Sequence, residues 1–387
     1  MIDIILGTLA GIITGIIPGL HPNLLATIAV HHSASSFFII AGALAHTITN
    51  IIPLVFITTT NPEYALGLHP IAALTNKGFA HEALKLLCLG AFSGLLIATI
   101  LTPAFLLIIP PLKTFLQPHI LPALVFIVIF FIFYEKNVFK KCIAFSIFFL
   151  AGVTGLIVFD SDIPEPLFPL FTGLFGIPTL VMNMTTKKTT ITQQKTDLIK
   201  PHFSSLLLTI CASIASVLFV SFLPGISMAQ SSLVATILFP TNPYQYIILL
   251  GSTAVLDYYF SFLFAILFAK TRNGVFEIIG PNQFSTTNII PTLSVMLFAT
   301  STAILVTLTL ATPLRKFLTH IPQQTLNLSV LLFLCLMTLF ISGLPGILVL
   351  ITSTSIGLLP ILFNTSRTHL MGCLLLPLLL RLFGRNV

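Results

Sequence analysis

Charge is what this chain has least of. Among 387 residues there are 17 Lys or Arg and 10 Asp or Glu, 7% of the chain, where a soluble globular protein carries roughly 25%. A soluble fold of this length needs a charged surface that this chain cannot supply. Soluble enzymes, nucleic-acid binders and disordered chains are excluded on that ground. The net charge of +7 does not argue for nucleic acid, because the lysines stand in short loops between apolar runs, where the positive-inside rule expects them. Tryptophan is absent, so an interfacial aromatic belt falls to Tyr and Phe. The five cysteines stand singly inside apolar runs, with no CxxC and no Cys/His cluster. No metal site and no disulfide frame are expected. There is no P-loop, so no nucleotide cofactor and no ATP coupling by this chain are expected. His81-Glu82 does not continue into HExxH, and neither an Arg-rich voltage-sensing helix nor a TVGYG filter occurs. No cofactor is expected, and the missing motifs argue against an enzyme. With Asp3 near the start and no lysine before Lys77, the first apolar run is expected to stay in the membrane rather than be cleaved as a signal.

What the chain has is apolar length. Hydrophobic residues make up 56%, and the mean hydropathy is +1.08. A spanning helix needs about 20 apolar residues. Candidate spans fall at 2–30 (interrupted), 35–59, 82–109, 119–134, 139–159, 166–184, 203–239 (interrupted), 244–269, 287–311, 325–350 and 356–383. The expected fold is an all-α polytopic membrane protein with about 10–12 transmembrane helices in two internally repeated halves, its interrupted spans being either Pro-Gly-broken crossings or re-entrant hairpins. Lys136, Lys140 and Lys141, then Asp160, Asp162 and Glu165, then Lys187, Lys188, Lys195 and Lys200 mark alternating loops, which read as inside, outside, inside. Lys77, Lys85, Lys270 and Arg272 are then expected inside. Arg315 and Arg381 do not fit one simple count.

The stretch 185–201, TTKKTTITQQKTDLIKP, is the one long polar segment. It divides the chain into a first membrane repeat (1–184), a cytoplasmic linker (185–201) and a second membrane repeat (202–387). Self-comparison supports a duplication. AGVTGLIV at 151–158 matches SGLPGILV at 342–349, and GIIPGLHPNLLATI at 15–28 resembles SFLPGISMAQSSLVATI at 221–237. Two repeated membrane halves are common in secondary transporters, with the site between them.

Apolar runs break at Pro18-Gly19, Pro224-Gly225 and Pro345-Gly346. Such pairs free backbone groups at membrane depth, which are tolerated only when packed in protein or lining a polar cavity. Helix N-termini exposed by a break suit an anion. Polar residues follow each break: His21 and Asn23, then Ser227, Gln230 and Ser231, then Ser353, Thr354 and Ser355. Pro18, Gly19, His21, Asn23, Pro224, Gly225, Ser227, Gln230, Gly343, Pro345 and Gly346 are therefore the candidate substrate-binding residues. Asp257 is the one carboxylate read as lying well inside a span, and is a candidate for coupling to sodium or a proton. His46 and Asn50, four apart on one helix face, join it.

These residues carry a family resemblance. GxxxGxxPGLHPN at 11–23 resembles the opening of the tripartite tricarboxylate transporter permease family (TctA), in its archaeal-type stand-alone branch. ITTTNPEYALGLHPIAALTNKGFAHEALKLLCLGAFSGLLI at 57–97 resembles the same branch, through Pro62, Leu68-His69-Pro70, Lys77-Gly78 and Glu82-Ala83-Leu84 to Gly94. The chain departs at 61–65, where that branch is rich in acids and this chain has only Glu63. The resemblance implies an ion-gradient-driven plasma-membrane permease for small organic anions such as carboxylates. It also implies a small membrane subunit and an extracytoplasmic binding protein as partners in typical relatives, while the stand-alone branch acts without them. Membrane lipid and a small-molecule substrate are the partners expected in either case, and a homo-oligomer is compatible with both. The alternatives are a translocase for a lipid-linked phosphate, for which Arg367 is the only deep basic candidate, a membrane-embedded enzyme, and a purely structural membrane protein.

Overall fold

The computed structural model describes residues 1–17, 20–57, 68–185, 201–223, 231–232, 234–236, 239, 241–320 and 323–384. Pro18, Gly19, Pro62, Glu63, Pro224, Gly225, Ser227, Gln230 and linker residues 186–200 lie outside the described residues. The described residues are helical, without strands. The helices are α1 (Ile2–Ile16), α2 (Pro22–His31), α3 (Ser36–Thr49), α4 (Ile51–Ile57), α5 (Leu68–Asn76), α6 (Ala80–Ile100), α7 (Thr102–Leu116), α8 (Ile120–Phe133), α9 (Val138–Phe159), α10 (Leu167–Phe171) and α11 (Ile177–Thr185). After the linker come α12 (Phe203–Ser221), α13 (Pro243–Phe268), α14 (Gly274–Ile279), α15 (Ile289–His320), α16 (Gln323–Phe363) and α17 (Gly372–Gly384). Nine helical segments among the described residues are long and apolar enough to cross a membrane. The chain is a polytopic all-α membrane protein.

Small residues set the pairing of these helices. In lipid there is no hydrophobic drive between helices, so close backbone approach and interhelical hydrogen bonds carry the association. Gly7, Gly11 and Gly15 of α1 lie against the backbone of Phe38, Gly42 and His46 of α3. The numbers rise together at a constant offset, so α1 and α3 run parallel. Antiparallel neighbours would need only a turn, whereas parallel ones need the chain to come back between them, and α2 is that return. His46 stands at the centre of the Ser36–Phe56 span. Since Gly15 sits at its level, α1 ends near mid-depth: its 15 residues rise only about 22 Å. α1 and α2 therefore form a re-entrant hairpin, α1 in and α2 out. This corrects the reading of 2–30 as a full crossing and bears out its re-entrant alternative.

Parallel pairing recurs in the second half. Gln245 Nε2 donates to Ser205 Oγ (2.7 Å) near the starts of α13 and α12, and Phe222 meets Phe264 near their ends. The return strand between them is pinned at Ser231, whose hydroxyl donates to Ser216 Oγ (3.3 Å). The two crossing helices run in opposite directions. α6 starts beside the end of α4, where the rings of Phe56 and His81 meet, so it runs back against α3. It then runs parallel to α13: Gly90 meets Ile248, Gly94 meets Ser252, and Tyr259 Oη donates to Ala98 O (2.7 Å). Hence α13 is antiparallel to α3.

α16 is two helices joined at Gly343, whose φ of +66° and ψ of −165° leave the helical region. The fold-back brings Gly346 against Thr338, eight positions earlier, which a straight helix would hold about 12 Å away. The expected spans 325–350 and 356–383 are thus corrected to limbs 323–342 and 344–363, followed by α17. The physical reason is that glycine alone adopts Gly343's conformation without strain, so the chain turns there and not at Pro345. Gly343→Ala should cost about 1–3 kcal/mol, read as a lower unfolding temperature in detergent.

The cores draw on both sides of the linker. The largest takes its side chains from α1 to α7 and α12 to α15. A second joins α8, α9 and α10 to the second limb of α16 and to α17. In that second core Gly155 and Gly372 pack α9 on α17, and Lys140 Nζ donates to Asn364 O (2.6 Å). The ends facing the lysine-rich loops therefore hold the starts of α6, α9, α12 and α13, and Asn364, which precedes the segment leading into α17. Arg272 follows the far end of α13, so its expected place beside Lys77 and Lys85 is corrected. Arg315, near the end of α15, comes to the lysine-rich face, which accommodates it in the charge rule.

Candidate functional site

The polar centre lies at mid-depth between α3 and α13, the two most enclosed helices. Every residue from Ile39 to Thr49 is buried in α3, and every residue from Ile247 to Ala265 in α13. A helix that is apolar all round is expected to be buried all round, and α13 is so except for its hydroxyls and Asp257. Thr47 Oγ1 and Tyr258 Oη are 3.0 Å apart and tie the two helices at this depth. Thr102 Oγ1 and Tyr259 Oη (2.8 Å) tie α13 to the start of α7.

His46 is 1% exposed. Its Nδ1 is 3.0 Å from Thr14 Oγ1. That hydroxyl also donates to Ala10 O (2.8 Å). No described residue hydrogen-bonds Nε2. His21, beside it, caps α2: its Nδ1 accepts from Asn23 N (3.2 Å). The N-terminus of α2, ten residues long, thus opens at the level of His46. Asn50 caps α3 one turn further on, its N–H donating to His46 O (2.8 Å).

Asp257 reaches the same centre from α13. Its Oδ2 accepts from Asn273 Nδ2 (2.6 Å), and its Oδ1 is 3.6 Å from Arg272 Nε. Neither partner lies on α13. The helix ends at Ala269 in a left-handed conformation (φ +49°), and the following residues turn back along it, so that Asn273 N donates to Ser261 Oγ (2.8 Å). α14 begins there, capped by Asn273 Oδ1 on Val275 N (2.9 Å). Gly274, its first residue, lies directly against the Asn23 side chain. Only a residue without a Cβ lets the tip of the first hairpin and the re-entry after α13 meet.

Of the residues expected to act, His21, Asn23, His46, Asn50 and Asp257 are brought together. Gly343, Pro345 and Gly346 are not, since they form the fold-back of α16, where Leu344 is 75% exposed and neighbouring side chains pack on α11. Ser353 lies beside Gly173. Sequence reasoning missed Arg272, Asn273, Gly274 and Thr14. For Asn273 and Gly274 a signal was available, since Asn-Gly after a span permits a cap and a tight turn. Glu82, 1% exposed and 3.6 Å from Lys85 Nζ, is a second buried carboxylate, at the start of α6. Arg367 Nη1 donates to Thr179 Oγ1 (2.9 Å), away from the centre. Among the described residues no group of three His, Cys, Asp or Glu could hold a metal.

The sequence matches the model of the tripartite tricarboxylate transporter TctA family over residues 1–372. An uncharacterized protein of Methanocaldococcus jannaschii is 28% identical over 392 residues, covering 98% of this chain and 97% of that one. No solved structure matches the chain. A match over nearly the whole length, on a polytopic fold with a polar centre at mid-depth, settles the relationship: the chain belongs to the tripartite tricarboxylate transporter TctA family.

Proposed function

We propose that the chain is a plasma-membrane secondary transporter of small organic anions, carboxylates first, driven by a sodium or proton gradient. One observation carries this reading. Two chain reversals, the α1–α2 tip and the re-entry after α13, meet at mid-depth and bring His21, Asn23, His46, Arg272 and Asp257 to one place. Ionisable groups at that depth are costly and mark substrate and ion pathways. The name of the family supports the carboxylate class. The residues beyond the second Pro-Gly pair, Ser227 and Gln230, belong to the same proposal, because Ser231, which follows them in sequence, packs on α12, the helix paired with α13.

The directions of the helices support an inverted duplication of 1–184 and 202–387. α1, α2 and α3 correspond to α12, the return through Ser231 and α13, while α3 and α13 run oppositely. α9 and the second limb of α16, which share the AGVTGLIV/SGLPGILV match, also run oppositely. Inverted repeats let one repeat rock against the other around a fixed site. The lysine-rich ends are cytoplasmic in this reading, so the first hairpin enters from outside and the second from inside. Purified protein in proteoliposomes, given a panel of di- and tricarboxylates, should accumulate at least one of them under an inward sodium or proton gradient. If none moves under either gradient, the carboxylate assignment is lost.

A further inference from the structure

We infer that Arg272 is the anion-binding residue of this centre and that it changes partners: Asp257 holds it while the site is empty, and a substrate carboxylate takes its place. The inference rests on the proposed anion site at mid-depth. It adds the residue that grips the anion and the reason a cation must accompany it.

Four observations carry it. First, Arg272 and Asp257 side chains are 13% and 12% exposed, so the guanidinium is an internal charge and not a loop marker. Second, the pair is loose. Its Nε–Oδ1 distance is 3.6 Å, where a tight charged hydrogen bond is about 2.7–2.9 Å. Third, the two partners differ in their freedom. Asp257 sits on the enclosed helix α13 and is anchored a second time by Asn273 Nδ2 at 2.6 Å. Arg272 sits on the short non-helical stretch between Ala269 and α14. When the pair opens, Arg272 moves and Asp257 stays hydrogen-bonded. Fourth, Arg272 is two residues from Gly274, which packs on Asn23. Arg272 therefore belongs to the same re-entrant stretch that meets the N-terminus of α2, where His21 and His46 lie. A carboxylate there would meet a planar fork of donors able to bind it in a bidentate manner, which a lysine could not offer.

Charge balance supplies the coupling. Among the described residues the empty centre holds one cation, Arg272, and one anion, Asp257. A carboxylate that takes Arg272 leaves Asp257 negative in a desolvated place, which is costly unless a cation joins it. A sodium ion or a proton at Asp257 restores neutrality, giving one cation per carboxylate group bound to Arg272. Glu277, the other acid of this stretch, is exposed and accepts from Thr271, so it does not supply the second charge.

The test uses the purified full chain in detergent. Thermal unfolding is followed with succinate, citrate, phosphate or sulfate, in sodium or choline buffer and at two pH values. Wild type should be stabilised by carboxylates, and more so with sodium or at the lower pH. D257N should be stabilised without that cation dependence. The double variant D257N/R272Q, which removes both charges and so keeps the fold, should bind anions about tenfold more weakly or worse. A double variant with the wild-type response overturns the inference and leaves the carboxylate reading standing. Full cation dependence in D257N overturns the exchange of partners. A wild type stabilised only by phosphate or sulfate, with that response lost in the double variant, supports Arg272 and removes the carboxylate reading. A wild type indifferent to every anion removes both.

Discussion

Asp257→Ala is expected to destabilise the folded protein by about 3–5 kcal/mol, the range for removing one member of a buried ion pair. The cost comes less from the lost attraction than from what stays behind. Arg272's side chain is 13% exposed, and without Asp257 its charge loses the carboxylate that faces it among the described residues. Asn273 loses its acceptor at the same stroke, and with it the hold that keeps the re-entrant stretch folded against Ser261. D257N/R272Q should recover most of that loss, because a centre with neither charge has no uncompensated ion. The measurement is thermal unfolding of the three proteins in one detergent, and the order expected is wild type, then the double variant close behind, then D257A well below. If D257A unfolds at the wild-type temperature, the pair contributes nothing to the fold, and Arg272 must be satisfied elsewhere. Transport should be lost in both variants, so stability and activity separate in the double variant alone.

The membrane class was legible from charge poverty alone, and most spans from apolar length, because lipid imposes one requirement on every crossing segment. The depth of each break was not legible. Pro18-Gly19 and Pro345-Gly346 look alike in sequence, yet the helix before the first, α1, ends near mid-depth, whereas the second stands just past the fold-back that Gly343 makes between two limbs. What separates them is how far the preceding helix has travelled: 15 residues in α1, against about 20 in the first limb of α16. Asp257 could be picked out because a carboxylate inside a span is rare. Arg272 could not, because a positive residue just after a span normally marks a loop. Its place depends on the chain turning back at Ala269, and a left-handed alanine leaves no trace in hydropathy. His46 was read as a partner of Asn50 on one helix face. Its closer partner is Thr14, 32 positions away, which only the parallel packing of α1 on α3 brings near.

That packing makes Gly11→Leu the substitution with the broadest expected effect. Gly11 lies against the backbone of Gly42 and the methyl of Ala45, and the helices touch there because neither presents a larger side chain. Gly7 and Gly15 make the same approach one turn of contact away on either side. A leucine at 11 has no rotamer that avoids backbone, so α1 must move off α3 rather than a side chain adjust. Overpacking of this kind costs about 1–3 kcal/mol when neighbours can yield, and a backbone neighbour cannot. The hairpin is held mainly by α3, so its displacement carries Thr14 away from His46 and Asn23 away from Gly274. The expected result is complete loss of uptake in proteoliposomes, with the chain still inserted, because α3, α6 and α13 retain their own contacts. Gly11→Ala should give an intermediate protein with reduced uptake and a lower unfolding temperature. Phe126, on the exposed surface of α8, supplies the comparison: Phe126→Leu should leave uptake unchanged. Wild-type uptake by Gly11→Leu would mean that the hairpin does not shape the site, and the centre would then have to be built from α13 and α14 alone.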